Sequence, residues 1–190
     1  MKGHFIIILL LSTILSCKKE MKEDSRMENT PVITKEENPV MVKNEDDLLV
    51  PDFSVKLQLD PALYKKLKSS KESVVAAYYF YKIIDDDQKV NADLQQHLDG
   101  NQLEILTGKT EESQLSQPEI TFHFKGLALP KKLENAAPNT TLHLNINFFS
   151  GRKAFEDNIM DAELLDVPFE KVLHSTGPLI LKAKLLPSQH

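Results

Sequence analysis

The chain has one cysteine, Cys17, and no tryptophan in 190 residues. One thiol can neither close an intrachain disulfide nor supply the paired cysteines of a structural zinc site, so the fold must stand on its apolar core. Also missing are the GxSxG elbow of serine hydrolases, the GxxxxGK[ST] phosphate loop and the HExxH zinc helix. These absences weigh against hydrolytic, nucleotide-driven and zinc-dependent chemistry, and the chain reads as a non-enzyme without a cofactor. A basic excess is absent too: 23 cationic residues face 28 acidic ones, a net charge of −5, which excludes the usual nucleic-acid footprint. No internal repeat is visible, which argues against a propeller or solenoid. The longest apolar run, Phe5 to Leu15 with Ser12 and Thr13 inside it, falls well short of the roughly 20 residues that a membrane-spanning helix needs.

What is present begins at the N-terminus. Lys2 supplies a positive charge, Phe5 to Leu11 reads FIIILLL, and Thr13-Ile14-Leu15-Ser16 leads into Cys17. That succession is the layout of a secretory signal peptide. Ile14-Leu15-Ser16-Cys17 resembles the lipobox of bacterial lipoproteins. The resemblance implies removal of residues 1–16 and attachment of lipid to the Cys17 sulfur and usually to its new amino group. Two or three acyl chains, at roughly 0.8 kcal/mol per buried methylene, anchor a protein stably to a membrane. Lys18 stands where the family carries an aspartate for inner-membrane retention, so the resemblance implies an outer-membrane address, facing either the periplasm or the cell surface. The competing reading of Cys17, a buried thiol, is opposed by its position between the apolar run and Lys18-Lys19-Glu20.

After Cys17, residues 18–50 carry nine acids, six basic residues, Pro31 and Pro39, and no aromatic. Such a segment cannot bury enough apolar surface to offset the entropy of ordering, so residues 17–50 are expected to form a lipidated, disordered tether.

From Pro51 the pattern changes. Phe53, Val55, Leu57 and Leu59 alternate with polar residues, as do Ile120, Phe122 and Phe124; Leu142, Leu144, Ile146 and Phe148; and Leu179, Leu181, Ala183 and Leu185. Each run has the period of a half-buried strand. Asp60-Pro61 with Leu63 and Leu67 predicts a short helix. Ser73 to Ile84 is apolar on both alternating sets, which places it in the middle of a sheet. Val90, Ala92 and Leu94 alternate, Leu103 to Thr107 predicts a short strand, Thr110 to Pro118 a polar loop, and Ile159 to Val167 a further strand. Together these predict an all-β domain over residues 51–187, a two-layer antiparallel β-sandwich of seven or eight strands, immunoglobulin-like or transthyretin-like.

Candidate chemistry is sparse. His123 and His143 lie on the polar faces of strands, where a suitable register would bring two imidazoles together, yet zinc needs further ligands that the spacing of His97, His174 and Glu119 does not select. Surface histidines are the plainer reading. Asp85, Asp86 and Asp87 could offer oxygens to calcium but lack the EF-hand spacing, so a solvated turn is favoured. In Tyr78-Tyr79-Phe80-Tyr81 either alternate pair could fill the core. Tyr79 and Tyr81 are assigned to it, leaving Tyr78 and Phe80, with Phe149 and Arg152 of the Phe149-Ser150-Gly151-Arg152-Lys153 turn, as the candidate partner surface.

The expected function is that of a lipid-anchored envelope lipoprotein whose sandwich docks another envelope protein. The inferred architecture is similar to that of transthyretin-like outer-membrane lipoproteins of type VI secretion systems, with an echo in Ser73 to Asp87 and no functional residue carried across. The alternatives are a surface module for glycan or small ligand, or an enzyme or enzyme inhibitor with an unrecognised site. A sheet edge or exposed aromatic patch would favour docking. The oligomeric state is open.

Overall fold

The computed structural model describes residues 42–43, 46–85 and 91–187. Cys17 and the expected tether as far as residue 41 lie outside the described residues, as do Asp86, Asp87 and Val90. In chain order the strands are β1 (Val42–Lys43), β2 (Asp47–Leu49), β3 (Phe53–Leu59), β4 (Val74–Ile83), β5 (Leu98–Asp99), β6 (Gln102–Glu112), β7 (Glu119–Phe124), β8 (Ala128–Pro130), β9 (Leu142–Ser150), β10 (Met160–Ala162), β11 (Leu165–Pro168) and β12 (Leu179–Leu185). The helices are α1 (Pro61–Ser70), α2 (Lys131–Glu134) and α3 (Phe169–Leu173), and a 3-10 turn spans Ala92–His97.

These strands build an all-β sandwich. One layer has the order β10-β12-β3-β7, the other β11-β9-β4-β6-β5, and β1-β2-β8 form a small third sheet. Every described pairing is antiparallel except one: β12 runs parallel to β3, with Leu181 opposite Leu57. The alternating apolar sets face inward as the sequence requires. Val55 and Leu57 from the first layer and Phe80, Leu144 and Ile146 from the second are buried in one cluster, and Phe122 touches Phe148 across the layers at 5.4 Å. Each such side chain contributes about 1.5–3 kcal/mol when fully buried.

Helix α1 begins where its sequence dictates. Asp60 accepts the Leu63 N–H at 2.6 Å as N-cap, Pro61 occupies the first turn, and the chain leaves through Lys71 in the left-handed region at φ 56°. Leu63 and Leu67, one turn apart, are buried in the core.

Four expectations change. The domain starts before Pro51: β2 pairs with β8, Leu48 and Val50 join the core, and the Val50 N–H donates to the Leu127 carbonyl at 2.8 Å. Two apolar residues at spacing two were too short a run to show a period. Ala92 and Leu94 lie in the 3-10 turn instead of a strand, with Leu94 buried. Strand β6 runs on through Glu112 into the expected loop, because β4 offers partners as far as Val74. The segment Ile159 to Val167 divides into two strands, β10 pairing with β12 in one layer and β11 with β9 in the other. That division and the two-residue β5 raise the two layers to nine strands.

Candidate functional site

The outer face of the five-stranded sheet carries the densest aromatic group outside the core. Along β4 the core takes Val74, Ala76 and Phe80 with Tyr78 packed against it, while Val75, Ala77, Tyr79 and Tyr81 share the opposite parity. This overturns the expected assignment. Phe80 is fully buried, edge-to-face with Phe169 at 5.1 Å, and Tyr78 packs edge-to-face on Phe124 at 5.6 Å. Phe80 has no surface to offer a partner, and Tyr78 is half-buried on the inner face. The alternation was apolar on both sides, so parity alone could not choose; the phenylalanine set went inward and the set with two hydroxyls outward.

Around the outward pair the register assembles polar neighbours. Tyr81 lies opposite His143 on β9 and Glu104 on β6, Tyr79 opposite Asn145 and Thr107, and Asn145 in turn opposite Asp166 on β11. A one-residue bulge in β6 at Ile105 sets this alignment, since Phe80 faces Leu106 and Tyr81 faces Glu104. The Tyr79 and Tyr81 rings stack at 5.1 Å and 15°, and His143 leans on Tyr81 at 5.2 Å. The Tyr81 hydroxyl donates to Asp166 Oδ1 at 2.7 Å. Burial, together with the hydrogen bond to Asp166 and its charge, pushes the Tyr81 phenol up to about 12. Burial and the charges of Glu104 and Asp99 raise Tyr79 as well. Both rings therefore stay neutral donors across the physiological range.

A spectrophotometric titration is expected to show one of the four tyrosines ionising near pH 12, with that step lost in Tyr81→Phe. The substitution should destabilise the fold by about 1.5–3 kcal/mol through loss of a hydrogen bond to a carboxylate. An unchanged high-pH step in the variant would refute the assignment.

Other expected residues are dispersed. His123 is exposed on β7 opposite Ser54 in the four-stranded layer, whereas His143 stands on β9 in the five-stranded one, so no imidazole pair forms. Among the described residues no group of three or more His, Cys, Asp or Glu side chains is placed to hold a metal. Asp85 is exposed after β4. Phe149 is half-buried on the outer face opposite Val75, and Arg152 is exposed at φ 58°.

The loop that carries Arg152 is held by a residue the sequence did not single out. Glu72 is fully buried, and its carboxylate accepts N–H groups from Ser73 at 2.8 Å, Lys153 at 2.9 Å and Ala154 at 2.7 Å. Gly151 is required at the same turn, because a Cβ there would meet Ser73 Oγ at 1.9 Å.

A concavity of about 670 Å³ lies along β3, β10 and β12, lined by Asp60, Asp161, Glu163, Lys182 and Lys184. Lys184 pairs with Asp161 at 3.2 Å, and Glu163 accepts the Lys182 backbone N–H at 2.9 Å. The tyrosine face is the stronger candidate, with half-buried Tyr79 stacked on buried Tyr81 and amide, carboxylate and imidazole groups around them. No protein-family model matches the sequence, and neither the curated proteins nor the solved structures include a significant match to it.

Proposed function

We propose that this chain is a lipoprotein of a bacterial envelope, anchored in the outer membrane through lipid on Cys17, and that its sandwich is a non-catalytic module docking another envelope protein. The observation that carries the docking part is Tyr79, half-buried on the outer sheet face and stacked on Tyr81, which is only 4% exposed and whose hydroxyl is fixed by Asp166. A tyrosine ring held in place by stacking offers stiff, amphipathic contact area at small entropic cost, which is why such rings anchor protein interfaces. The lipobox resemblance of Ile14 to Cys17 supports the anchor.

The test is capture of the tethered protein from solubilised envelope after cross-linking. One stoichiometric protein partner is expected with the native chain and its loss with Tyr79→Ala, while the variant keeps its far-ultraviolet spectrum. Recovery of the native protein alone would overturn the docking reading. An unmodified Cys17 sulfur in the mass spectrum of the envelope protein would overturn the anchor separately.

A further inference from the structure

Strand β6 is paired with β4 from Gln102 to Glu112, but on its other side only Gln102 and Leu103 have a strand partner, β5. Among the described residues no strand pairs with Glu104–Glu112 on that side. Strand β6 also lies near α2, β7, β8 and the 3-10 turn. Toward its end Thr107, Lys109 and Glu111 are exposed on the outer face, and among the described residues no backbone–backbone hydrogen bond outside the ladders involves residues 107–112. A row of unpaired N–H and C=O groups is a template for another strand.

What fits that template can be decided by register. Two copies meeting antiparallel at this edge are related by a two-fold axis normal to the sheet, so each outer face continues into the other and the pairing is centred on one residue. Centred on Lys109, ammonium faces ammonium. Centred on Glu111, carboxylate faces carboxylate. Centred on Gly108, Lys109 faces the partner's Thr107 and no charges pair. Centred on Thr110, Lys109 faces the partner's Glu111 twice over, and Thr110 faces the partner's Thr110. Opposite charges and threonine pairs directly across an antiparallel ladder stabilise it, and like charges destabilise it.

We propose that two copies of this chain pair antiparallel through β6 in the register centred on Thr110, joining two five-stranded sheets into one of ten strands. A lone lysine on an edge commonly blocks pairing; here Glu111, two residues on, makes the edge self-complementary. Glu111 then lies between its own Lys153, 2.6 Å away, and the partner's Lys109. The dimer sets two Tyr79–Tyr81 pairs on one continuous face, since Tyr79 is opposite Thr107 on the same strand. A five-residue ladder buries less than the roughly 1,000 Å² of a durable interface, so the dimer is weak in dilute solution and gains from tethering at a shared surface. Only that gain rests on the lipid anchor; the register does not.

The test uses the full chain with Cys17→Ser and Thr110→Cys, leaving one thiol. Directly opposed antiparallel residues bring their Cα atoms to roughly 4.5–5.5 Å, inside disulfide reach, so mild oxidation should give a covalent dimer. Adding either Lys109→Glu or Glu111→Lys should slow cross-linking about tenfold, because two pairs turn repulsive at once. Mixing those two charge variants should restore it, as a heterodimer, which also shows that each remains folded. A Thr110→Cys chain that stays monomeric, cross-linking indifferent to charge reversal, or a mixture that fails to recover would each overturn the proposal.

Discussion

Lys82→Ala is expected to destabilise the sandwich by about 3–5 kcal/mol, the range for stripping one partner from a buried ionic contact. Lys82 is 1% exposed, and its ammonium donates to the Glu134 carbonyl at 2.6 Å, to Glu134 Oε1 at 2.7 Å and to the Ala137 carbonyl at 3.0 Å. All three of its donors are used. The side chain thereby ties the end of α2 to central strand β4, and it satisfies carbonyls that a helix end leaves without an internal partner. Alanine takes this donor from the Glu134 carbonyl and opens a cavity, while the Ala137 carbonyl keeps the Thr140 N–H and hydroxyl. Methionine fills the space and leaves Glu134, 21% exposed, able to turn toward water, so Lys82→Met should cost less than half as much as Lys82→Ala. Urea denaturation checks this through the midpoint at unchanged slope. A loss under about 1 kcal/mol for the alanine variant would mean that the clamp does not hold α2.

The contrast between what could be read and what could not follows from sequence distance. Strands β3, β7, β9 and β12 and helix α1 are legible because their signal is local: strict alternation over six or more residues, or Asp60-Pro61 ahead of Leu63 and Leu67. Strand β4 was legible as a strand, but its two apolar faces left open which aromatics point outward. That was settled by partners far along the chain. Asp166 is 85 residues from Tyr81, Lys153 is 81 from Glu72, and Glu134 is 52 from Lys82. No local period marks a carboxylate that will meet a distant loop. The parallel pairing of β12 with β3 is likewise invisible in the alternation of Leu179 to Leu185, which is the same for either direction. Cys17, on which the proposed address depends, lies outside the described residues.

Glu72→Gln is expected to destabilise the protein by about 2–4 kcal/mol at neutral pH and to flatten its acid limb, since charged hydrogen bonds contribute about 1.5–3 kcal/mol each but are not additive within one cluster. The fully buried carboxylate gathers N–H groups from two segments, Ser73 ahead of β4 and Lys153 and Ala154 beyond β9. Burial by itself pushes Glu72 upward, but the N–H groups of Ala154, Lys153, Ser73 and Phe155 outweigh it and hold the carboxyl below its ordinary range. A carboxylate depressed in the folded state stabilises fully above its unfolded pKa, about 4.3, and that stabilisation fades as pH falls through the lower folded value. Glutamine keeps the shape but turns an amide N–H₂ toward backbone donors, so at least one N–H loses its acceptor and the loop carrying Arg152 loosens. Glu111, Glu119 and Asp93 are also held low, by Lys153, Lys56 and Lys132 in that order, but these groups are largely open to solvent and screened. The native stability curve should therefore fall below about pH 4.3 more steeply than that of Glu72→Gln, with the two converging at low pH. Parallel curves for the two proteins from pH 7 downward would show that this carboxylate is not the group that links the loop to the fold.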